Sequence, residues 1–342
     1  MSRSDGHTVV IVDYDWGDVA IERAIVEGAG LRLVAAQCKT EDEVTDVARD
    51  ADAIIVQFAT VGAKAIAALT RAQVIARYGT GVDVVDVDAA TARGILVTNL
   101  PNDWCEDEVA DHAMALLLAA GRKICAYDRA TRAGTWRWQT GYPIRRLRGS
   151  LLGLLSFGTI AQAIAARAAG FGMRVIAHDP YVSEQDIAAR GATPVSFAEL
   201  LEQSDYLVVQ APLTKQTHHL IGEPELRRMK PTAFLVNTGR GPIVSDEALY
   251  RGLREGWIAG AGLDDIEEEP AKRRDWKPTN PLFTLPNVIL TPHAAYYSEE
   301  AIHTVRDFAA REVVRVLTGQ PPVSPVNADQ IAGWRSRGRL QP

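Results

Sequence analysis

The sequence predicts an α/β protein made of two doubly wound domains, each a parallel sheet covered by helices on both faces. Its 342 residues exceed the length that a single hydrophobic core usually serves. Short apolar runs alternate with helical patterns, which is typical of parallel strands joined by crossover helices. The alternation stops at Pro101 and Asn102 and resumes at Leu151, so the sequence predicts two such domains.

The first alternating series predicts five strands, because each run is apolar enough to be buried on both faces of a parallel sheet. These runs are TVVIVDYD (8–15), LRLVAAQC (31–38), ADAIIVQF (51–58), AQVIARYG (72–79) and ILVTN (95–99). Helical patterns lie between them at 18–27, 41–50, 63–69 and 85–94. The first of these patterns is closed by Gly28 and Gly30, and glycine commonly ends helices.

A helix and an irregular segment follow the first series. Residues 107–123 include the run ALLLAA and predict a helix that is packed on most sides. Residues 134–150 carry Trp, Gly and Pro in no regular pattern, which indicates a connector or an arm.

The second series predicts six more strands and a closing helix. The strand candidates are LLGLLSF (151–157), RVIAHD (174–179), YLVVQA (206–211), AFLVN (233–237), IAGAGLD (258–264) and NVILTP (287–292). A helical pattern from Glu299 to about Thr318 comes last, and prolines with a polar end predict a loose tail after it.

The composition argues against several classes of function. The formal net charge is −6 with both signs mixed along the chain, so the sequence carries no electrostatic footprint for nucleic acid. The one basic cluster, at 145–148, is more readily a solvated or subunit-facing loop. The 3 cysteines are too widely spaced for a disulfide framework or a zinc site. No run approaches the ~18 apolar residues of a membrane span, and no signal peptide is apparent, so we expect a cytoplasmic protein without a metal.

The start of the second series predicts a dinucleotide-binding turn. The run LLGLLSF ends in Phe157 and is followed by Gly158, Thr159 and Ile160, where a helical pattern begins. In a doubly wound sheet, the amides of such a helix N-terminus face the phosphates of the ligand. The usual pattern is G-x-G-x-x-G, and only its middle glycine, Gly158, is present. An ordinary strand–helix turn therefore stays open as an alternative.

The flanking positions of this turn depart from the pattern. Ser156 and Ala161 stand where the first and third glycines are usual. If Ser156 needs a left-handed backbone, serine costs about 1–2 kcal/mol relative to glycine. If it does not, the serine hydroxyl could point at a phosphate. Ala161 is an accepted variant for helix–strand packing.

Asp179 ends the next predicted strand, about 20 residues after the turn, where a carboxylate can accept hydrogen bonds from the adenosine ribose. Pro180 and Tyr181 follow, so no basic residue is at hand for a 2′-phosphate. These observations favour NAD over NADP. A strand-end carboxylate without a ligand is the alternative reading of Asp179.

Several separated motifs resemble those of one enzyme family. They are RYGTGVDVVD (77–86), RGILVTNLP (93–101), VADHAMALLL (109–118), RLRGSLLG (146–153), FGMRVIAHDPY (171–181), APLTKQTHHLI (211–221), AFLVNTGRGPIV (233–244), GAGLDDIEEEP (260–270) and LTPHAAYYSEE (290–300). On these residues the chain resembles the D-isomer-specific 2-hydroxyacid dehydrogenases, and within them most closely the C-terminal binding protein branch. The resemblance covers about Arg77 to Asn327.

The resemblance implies a fold and an assembly. A Rossmann-type NAD-binding domain is expected at 102–296, and a discontinuous, flavodoxin-like substrate domain at 1–101 and 297–329, with a loose tail at 330–342. The active site is expected in the cleft between the domains. A homodimer is implied through the cofactor domain, with the arm at 121–150 near the interface.

The resemblance also implies a catalytic trio. Arg240, in NTGRG, matches the arginine that binds substrate, and a planar guanidinium can hold carboxylate and carbonyl oxygens together. His293, in TPHAA, matches the acid/base, a role for which neutral pH favours histidine. Glu269 matches the carboxylate that pairs with this histidine. Glu267 and Glu268 are competitors for that role, and the proline after Glu269 favours Glu269.

Further binding residues follow from the same resemblance. The cofactor set outside the turn is Thr80, Ala211, Thr217, Thr238, Gly239, Asp264 and Ala295, with Asp264 expected at the nicotinamide carboxamide. The substrate set is Arg77, Tyr78, Gly79, Gly81 and Tyr296. Arg77 as a plain surface residue and Tyr296 as a packed hinge aromatic stay open as alternatives.

The function implied is hydride transfer between NAD(H) and a small 2-hydroxy or 2-oxo acid. Two alternatives stay open: an NAD(H)-sensing regulator or scaffold of the C-terminal binding protein type, and a specialised-pathway descendant with altered chemistry. The complete trio favours the dehydrogenase, because a pure sensor would not need it.

Overall fold

A computed structural model describes residues 6–101, 104–268 and 277–331 of the protein. These residues divide into two compact units. The first unit holds 6–101, Trp104 and 298–331, and the second unit holds 105–268 and 277–297. No helix among the described residues is long and apolar enough to cross a membrane.

The first unit contains a five-stranded parallel sheet with the strand order β2-β1-β3-β4-β5. Its strands are β1 (Thr8–Ile11), β2 (Arg32–Ala35), β3 (Ala53–Val56), β4 (Val74–Arg77) and β5 (Leu96–Thr98). Its first helices are α1 (Ala20–Gly28), α2 (Glu41–Ala48), α3 (Ala63–Ala68) and α4 (Val87–Ala92). This order is the flavodoxin-like order that the resemblance implied.

Successive side chains of a strand point to opposite faces of the sheet, and this alternation explains why helices cover both faces. Val9 and Ile11 belong to one apolar cluster, and Val10 belongs to the cluster on the opposite face. All three are at most 2% exposed. A strand that is apolar on both sides is stable only when both faces are covered, which is the arrangement of a parallel sheet with crossover helices.

The second unit contains a seven-stranded parallel sheet with the order β12-β11-β10-β9-β6-β7-β8. Its strands are β6 (Leu151–Leu155), β7 (Arg174–His178), β8 (Thr193–Pro194), β9 (Tyr206–Val209), β10 (Phe234–Asn237), β11 (Gly260–Leu263) and β12 (Val288–Leu290). Its helices are α5 (Glu106–Gly121), α6 (Ile124–Arg132), α7 (Thr159–Gly170), α8 (Glu184–Ala189), α9 (Phe197–Gln203), α10 (Glu223–Arg228) and α11 (Asp246–Glu255). Counted from β6, the order is the Rossmann order 3-2-1-4-5-6 with one more strand beyond it. The prediction of two doubly wound α/β sheets is confirmed.

The sequence did not predict the strand β8 or the helix α6 of the second unit. The strand β8 has only two residues and lies at the sheet edge, so its sequence is too short to show a period. The predicted arm begins with the helix α6, which has no buried residue, followed by a single turn of 3-10 helix at Trp138–Gly141. Lys123, in a left-handed conformation, separates α6 from α5.

The last helix, α12 (Glu299–Leu317), packs in the first unit and is tied to α1 by a buried ion pair. Glu22 is fully buried on α1 and accepts hydrogen bonds from Arg306 Nε at 2.9 Å and Arg306 Nη2 at 2.8 Å. The Tyr78 hydroxyl donates to the same carboxylate at 3.0 Å. Removing one partner of such a pair commonly costs about 3–5 kcal/mol, because it leaves a buried charge uncompensated. This cluster therefore anchors the returning helix and the loop after β4.

Candidate active site

The predicted site residues of the second unit stand at the carboxyl ends of its strands. Gly158 follows β6, Asp179 follows β7, Thr238 follows β10, Asp264 follows β11 and His293 follows β12. Parallel strands place all of these ends at one edge of the sheet. Ligands of doubly wound sheets bind at this edge, near the point where the strand order reverses, which lies here between β6 and β9.

Ser156 has a left-handed backbone, with φ of +82°. The first alternative considered for this position is therefore correct, and serine bears the steric cost that glycine would avoid. Its hydroxyl donates to Asp179 Oδ2 at 3.1 Å. This hydrogen bond to a charged acceptor offsets part of the steric cost.

Asp179 organises the turn that surrounds it. In addition to the Ser156 hydroxyl, its carboxylate accepts the amide of Phe157 at 2.8 Å and the amide of Tyr181 at 2.8 Å. The predicted ribose carboxylate thus also holds the turn between β6 and α7 in shape.

The turn has the room that a pyrophosphate needs. A Cβ atom added at Gly158 would meet no atom within 4 Å, so the backbone there faces open space. Gly158 precedes the twelve-residue helix α7, whose first amides have no partner within the helix and favour an anion. Ala161 is 1% exposed and packs in the core beside Phe157, as expected of a small residue at the helix–strand contact. The residues of the turn fit a dinucleotide.

Arg240 lies in a turn that is held by Asn237, the last residue of β10. The Asn237 side chain accepts the Gly239 amide at 3.0 Å and donates to the Arg240 carbonyl at 3.0 Å. The hydroxyl of Thr238 accepts a hydrogen bond from the Gln210 amide group. Asn237 is 1% exposed and was not among the predicted residues, although an asparagine that bridges its own turn is a known signal.

Ala211 and Thr217 lie on the segment that follows β9. Ala211 is 7% exposed, so its backbone is what it can present to a ligand. The Thr217 hydroxyl donates to the Pro212 carbonyl at 2.6 Å and accepts the Thr214 amide at 2.7 Å. Thr217 therefore stabilises the turn that carries it.

Asp264 holds the turn that carries His293. Its Oδ1 accepts the Thr291 hydroxyl at 2.5 Å and the Ala294 amide at 2.9 Å, and its Oδ2 accepts the Ala295 amide at 2.9 Å. The Asp264 carbonyl accepts the His293 amide at 2.7 Å. Asp264 is 3% exposed, so these bonds lie in a region of low dielectric. The turn after β12 is fixed from the end of β11.

The backbone of His293 is in the left-handed region, with φ of +52°. Such a conformation costs a residue other than glycine about 1–2 kcal/mol, and hydrogen bonds to a charged acceptor return about 1.5–3 kcal/mol each. The Asp264 network therefore outweighs the strain. The Tyr296 ring meets the His293 ring edge to face, with 5.9 Å between centroids. This contact places Tyr296 beside His293, and both alternatives for Tyr296, an aromatic near the substrate or a packed hinge aromatic, stay open.

A cluster of acidic residues holds the segment 265–268, which leads towards Glu269. Asp265 Oδ2 accepts the Gly241 amide at 3.1 Å, which joins this segment to the Arg240 turn. Asp246 and Glu267 each accept the other's backbone amide, at 2.6 Å for the Asp246 amide and 3.3 Å for the Glu267 amide. Glu267 Oε1 also lies 3.1 Å from His219 Nε2, which makes Glu267 a poor competitor for the partner of His293. Glu269 itself lies outside the described residues.

Asp246 in this cluster has a displaced pKa. Its pKa is raised from 3.8 to about 6, chiefly by burial and also by the neighbouring charges of Glu267 and Asp265, against the hydrogen bonds from Asn280 and the Glu267 amide. The protonation of Asp246 is thus coupled to the segment that precedes Glu269.

The loop of the first unit that is predicted to bind substrate follows β4. Gly79 has φ of +128°, and a Cβ atom there would lie 1.6 Å from Arg77 Nη1, so only glycine lets the guanidinium fold over the loop. Arg77 is 8% exposed, which excludes its alternative as a plain surface residue. The Thr80 hydroxyl accepts a hydrogen bond from Trp104 Nε1 at 2.9 Å, and Gly81 follows Thr80.

Tyr78 binds other parts of the first unit. Its hydroxyl donates to Glu22, and its amide donates to the Val56 carbonyl at 2.8 Å.

Asp13, just beyond β1, holds the neighbouring loop of the first unit. Its carboxylate accepts the amides of Gln57, Phe58 and Ala59 at 2.8, 2.6 and 2.9 Å. Burial raises the pKa of Asp13 against these three bonds. The acidic end of the first strand was visible in the sequence, but its partners became visible only in the fold.

Comparison with known proteins finds a family model and relatives that cover most of the chain. Residues 114–295 match the family model of the D-isomer specific 2-hydroxyacid dehydrogenase NAD binding domain. A glyoxylate reductase from Korarchaeum cryptofilum is 41% identical over 290 residues, covering 83% of this chain and 85% of the relative. A glyoxylate reductase from Pyrococcus furiosus is 37% identical over 333 residues, covering 92% and 96%.

A solved structure is similar over almost the whole chain. D-Lactate dehydrogenase from Aquifex aeolicus, complexed with NAD and lactic acid, aligns with a TM-score of 0.83 and 27% identity, covering 95% of this chain and 98% of the other.

The strain at Ser156 can be measured with two variants. Ser156→Ala and Ser156→Gly both lose the hydrogen bond to Asp179, but only glycine relieves the left-handed backbone. We expect the glycine variant to be more stable than the alanine variant by about 1 kcal/mol, after the entropy of glycine in the unfolded chain is subtracted. Urea unfolding measures this difference. An alanine variant as stable as the glycine variant would contradict it.

Asp246 predicts a pH-dependent term in stability. Because its native pKa of about 6 exceeds the ordinary 3.8, the stabilising contribution is complete below pH 3.8 and is lost as the pH rises through about 6. Asp246→Asn should therefore raise the slope of unfolding free energy against pH in this window, by up to about 1.4 kcal/mol per pH unit. Urea unfolding at several pH values tests this. In a Glu267→Gln background, the difference in slope between the proteins with and without Asp246→Asn should be smaller, because one of the charges that raise the Asp246 pKa is gone. Equal slopes in the wild type and Asp246→Asn would contradict the raised pKa of Asp246.

Proposed function

The chain belongs to the D-isomer-specific 2-hydroxyacid dehydrogenase family, and we propose that it reduces glyoxylate or a 2-oxo acid of similar size with NADH. NAD-linked hydride transfer between 2-hydroxy and 2-oxo acids is the activity that its family and relatives support. The choice of a small acid rests on the relatives named above as glyoxylate reductases.

The observation that carries the proposal is the His293 turn. A histidine with a strained backbone, fixed by a buried carboxylate, stands at the same sheet edge as the dinucleotide turn and Arg240. Strain of this kind persists where the surroundings over-determine a residue, which is common at active sites. β10 and β12 are separated by β11 alone, so Arg240 and His293 follow strands roughly 10 Å apart.

We assign one chemical task to each member of the trio. Bound NADH supplies the hydride for the carbonyl carbon of the acid. Arg240 binds the carboxylate and the carbonyl oxygen, which acquires negative charge during the reaction. His293 donates a proton to that oxygen in reduction and accepts it in oxidation. Glu269 pairs with His293, favouring the imidazolium and one ring orientation.

The remaining binding residues divide between the units. We propose that 102–296 form the NAD-binding domain and that 1–101 with 297–329 form the substrate domain. Arg77 and the loop 79–81 bind the substrate carboxylate, and Tyr78 contributes by holding this loop through Glu22. We assign Asp264 and Ala295 to the nicotinamide end of the cofactor, and the bond between them supports this, because Asp264 also fixes the His293 turn.

The reductase is favoured over an NAD(H)-sensing regulator. The resemblance to the C-terminal binding protein branch rests on sequence motifs, whereas the relatives described above are named as reductases. Arg240 and His293 are also held by dedicated side chains, Asn237 and Asp264, which a nucleotide sensor would not require.

We also propose a cytoplasmic homodimer that uses the arm after α5. Trp136, Trp138 and Tyr142 are 86%, 69% and 77% exposed. The arm that carries them is folded, because the Tyr127 hydroxyl donates to the Trp138 carbonyl at 2.6 Å. A folded segment that exposes several large aromatic rings is typical of a protein interface, and a second copy of the chain is the partner that the family implies.

The catalytic assignment predicts the kinetics of a His293→Ala variant with glyoxylate and NADH. Its kcat should fall by about 100-fold or more, while the Kd for NADH, measured by fluorescence titration, stays within about twofold. His303→Ala, at an exposed position of α12, is the matched control and should behave as the wild type. Turnover retained with a weakened Kd would contradict the role of His293, and tighter binding of NADPH than of NADH would contradict that of Asp179.

The proposed homodimer predicts that charged residues introduced into the arm will halve the molecular mass of the protein in solution. Trp136→Glu combined with Trp138→Glu should convert a dimer to a monomer in light scattering after gel filtration, because charge is depleted at interface cores. Tyr181→Glu, at a ring that is 91% exposed outside the arm, should leave the mass unchanged. A wild-type monomer would contradict the proposal.

A further inference from the structure

His112 lies on α5 beside the turn that carries His293. Its Nε2 is 2.9 Å from the Thr291 hydroxyl oxygen and 3.5 Å from Asp264 Oδ1. The His112 side chain is 25% exposed, whereas that of Asp264 is 2% exposed. We propose that His112 is a positioning residue for His293, acting through Thr291 and Asp264. The inference rests on the proposed function, in which His293 is the acid/base.

The hydrogen bonds fix the direction in which His112 acts. Thr291 has a single hydroxyl hydrogen, and an ionised Asp264 can only accept. The 2.5 Å contact between these two groups therefore uses the Thr291 hydrogen. The Thr291 oxygen is left as an acceptor for His112, so His112 carries its proton on Nε2. The chain of donors runs from His112 to Thr291 to Asp264.

The consequence reaches His293 through the backbone. The Asp264 carboxylate binds the amides of Ala294 and Ala295, and its carbonyl binds the His293 amide. If His112 no longer donates, the Thr291 hydroxyl can turn towards another acceptor and the Asp264 carboxylate loses one of its three donors. The left-handed His293 turn is then less well fixed. This would reduce the fraction of bound substrate that meets His293 correctly, which lowers kcat more than it changes binding.

A plain packing role for His112 makes a different prediction. Helix α5 packs on the sheet through apolar residues such as Ala113 and Leu117, so a polar side chain at its rim could serve stability alone. In that case the variants would lose stability according to the size of the new side chain. In the proposed role, kcat depends on whether the new side chain carries a donor at the place of Nε2. Glutamine carries an amide nitrogen the same number of bonds from Cβ as histidine Nε2, and leucine has a similar volume without a donor.

The test compares steady-state kinetics of His112→Leu, His112→Gln, Thr291→Val and the double variant His112→Leu/Thr291→Val with glyoxylate and NADH. We expect His112→Leu to lower kcat by about tenfold with KM and the NADH Kd within about twofold, and His112→Gln to stay within about threefold of the wild type. The double variant should match Thr291→Val alone, because His112 acts through Thr291. Melting temperatures of each variant check that the compared enzymes are folded, and His303→Leu is the matched control.

Three results would overturn the inference. They are equal kcat losses in the leucine and glutamine variants, an unchanged kcat in His112→Leu, and losses that multiply in the double variant. If His112→Leu does not fold, His112→Gln and Thr291→Val still decide the matter, because a fully active Thr291→Val removes the link. Turnover retained by His293→Ala instead refutes the proposed function itself, so the two failures are distinguishable.

Discussion

The arrangement of the candidate site depends above all on the carboxylate of Asp264. Asp264 directly follows β11, and its carboxylate binds three donors of the turn after β12, while its backbone carbonyl binds the amide of His293. Without these bonds the left-handed backbone of His293 would relax, because a histidine gains nothing locally from that conformation. The residue after one strand thus fixes the position of His293, the proposed acid/base, after the neighbouring strand.

The same device recurs at other strand ends of the protein. Asn237 forms hydrogen bonds across the Arg240 turn after β10. Asp179 accepts the Phe157 amide in the turn after β6. Asp13 accepts three amides of the loop after β3. In each case a short side chain at the carboxyl end of a strand satisfies amides that the sheet leaves open. A parallel sheet supplies these ends in a row, so loops from distant parts of the sequence are fixed relative to one another.

The dinucleotide turn shows how this device tolerates a departure from the usual motif. Serine replaces the first glycine and keeps the left-handed backbone that glycine would adopt freely. Its hydroxyl binds Asp179, the carboxylate expected at the adenosine ribose. Serine at this position therefore adds a steric cost and a hydrogen bond within the turn. The backbone at Gly158 still faces open space.

The sequence alone determined the two parallel sheets, the strand ends that carry Gly158, Arg240 and His293, and the family, because apolar periodicity and local motifs are written in consecutive residues. It could not determine the strand order or show that Asp264 and His112 lie beside the turn that carries His293. Those residues lie far from His293 in the chain, and only the pairing of β11 with β12 and the packing of α5 bring them to it. Hydrogen-bond partners of this kind leave no local pattern, since they depend on the three-dimensional arrangement of the elements. Tertiary structure also decided between the alternatives for Ser156, because a backbone angle is imposed by the turn rather than by the residue that occupies it.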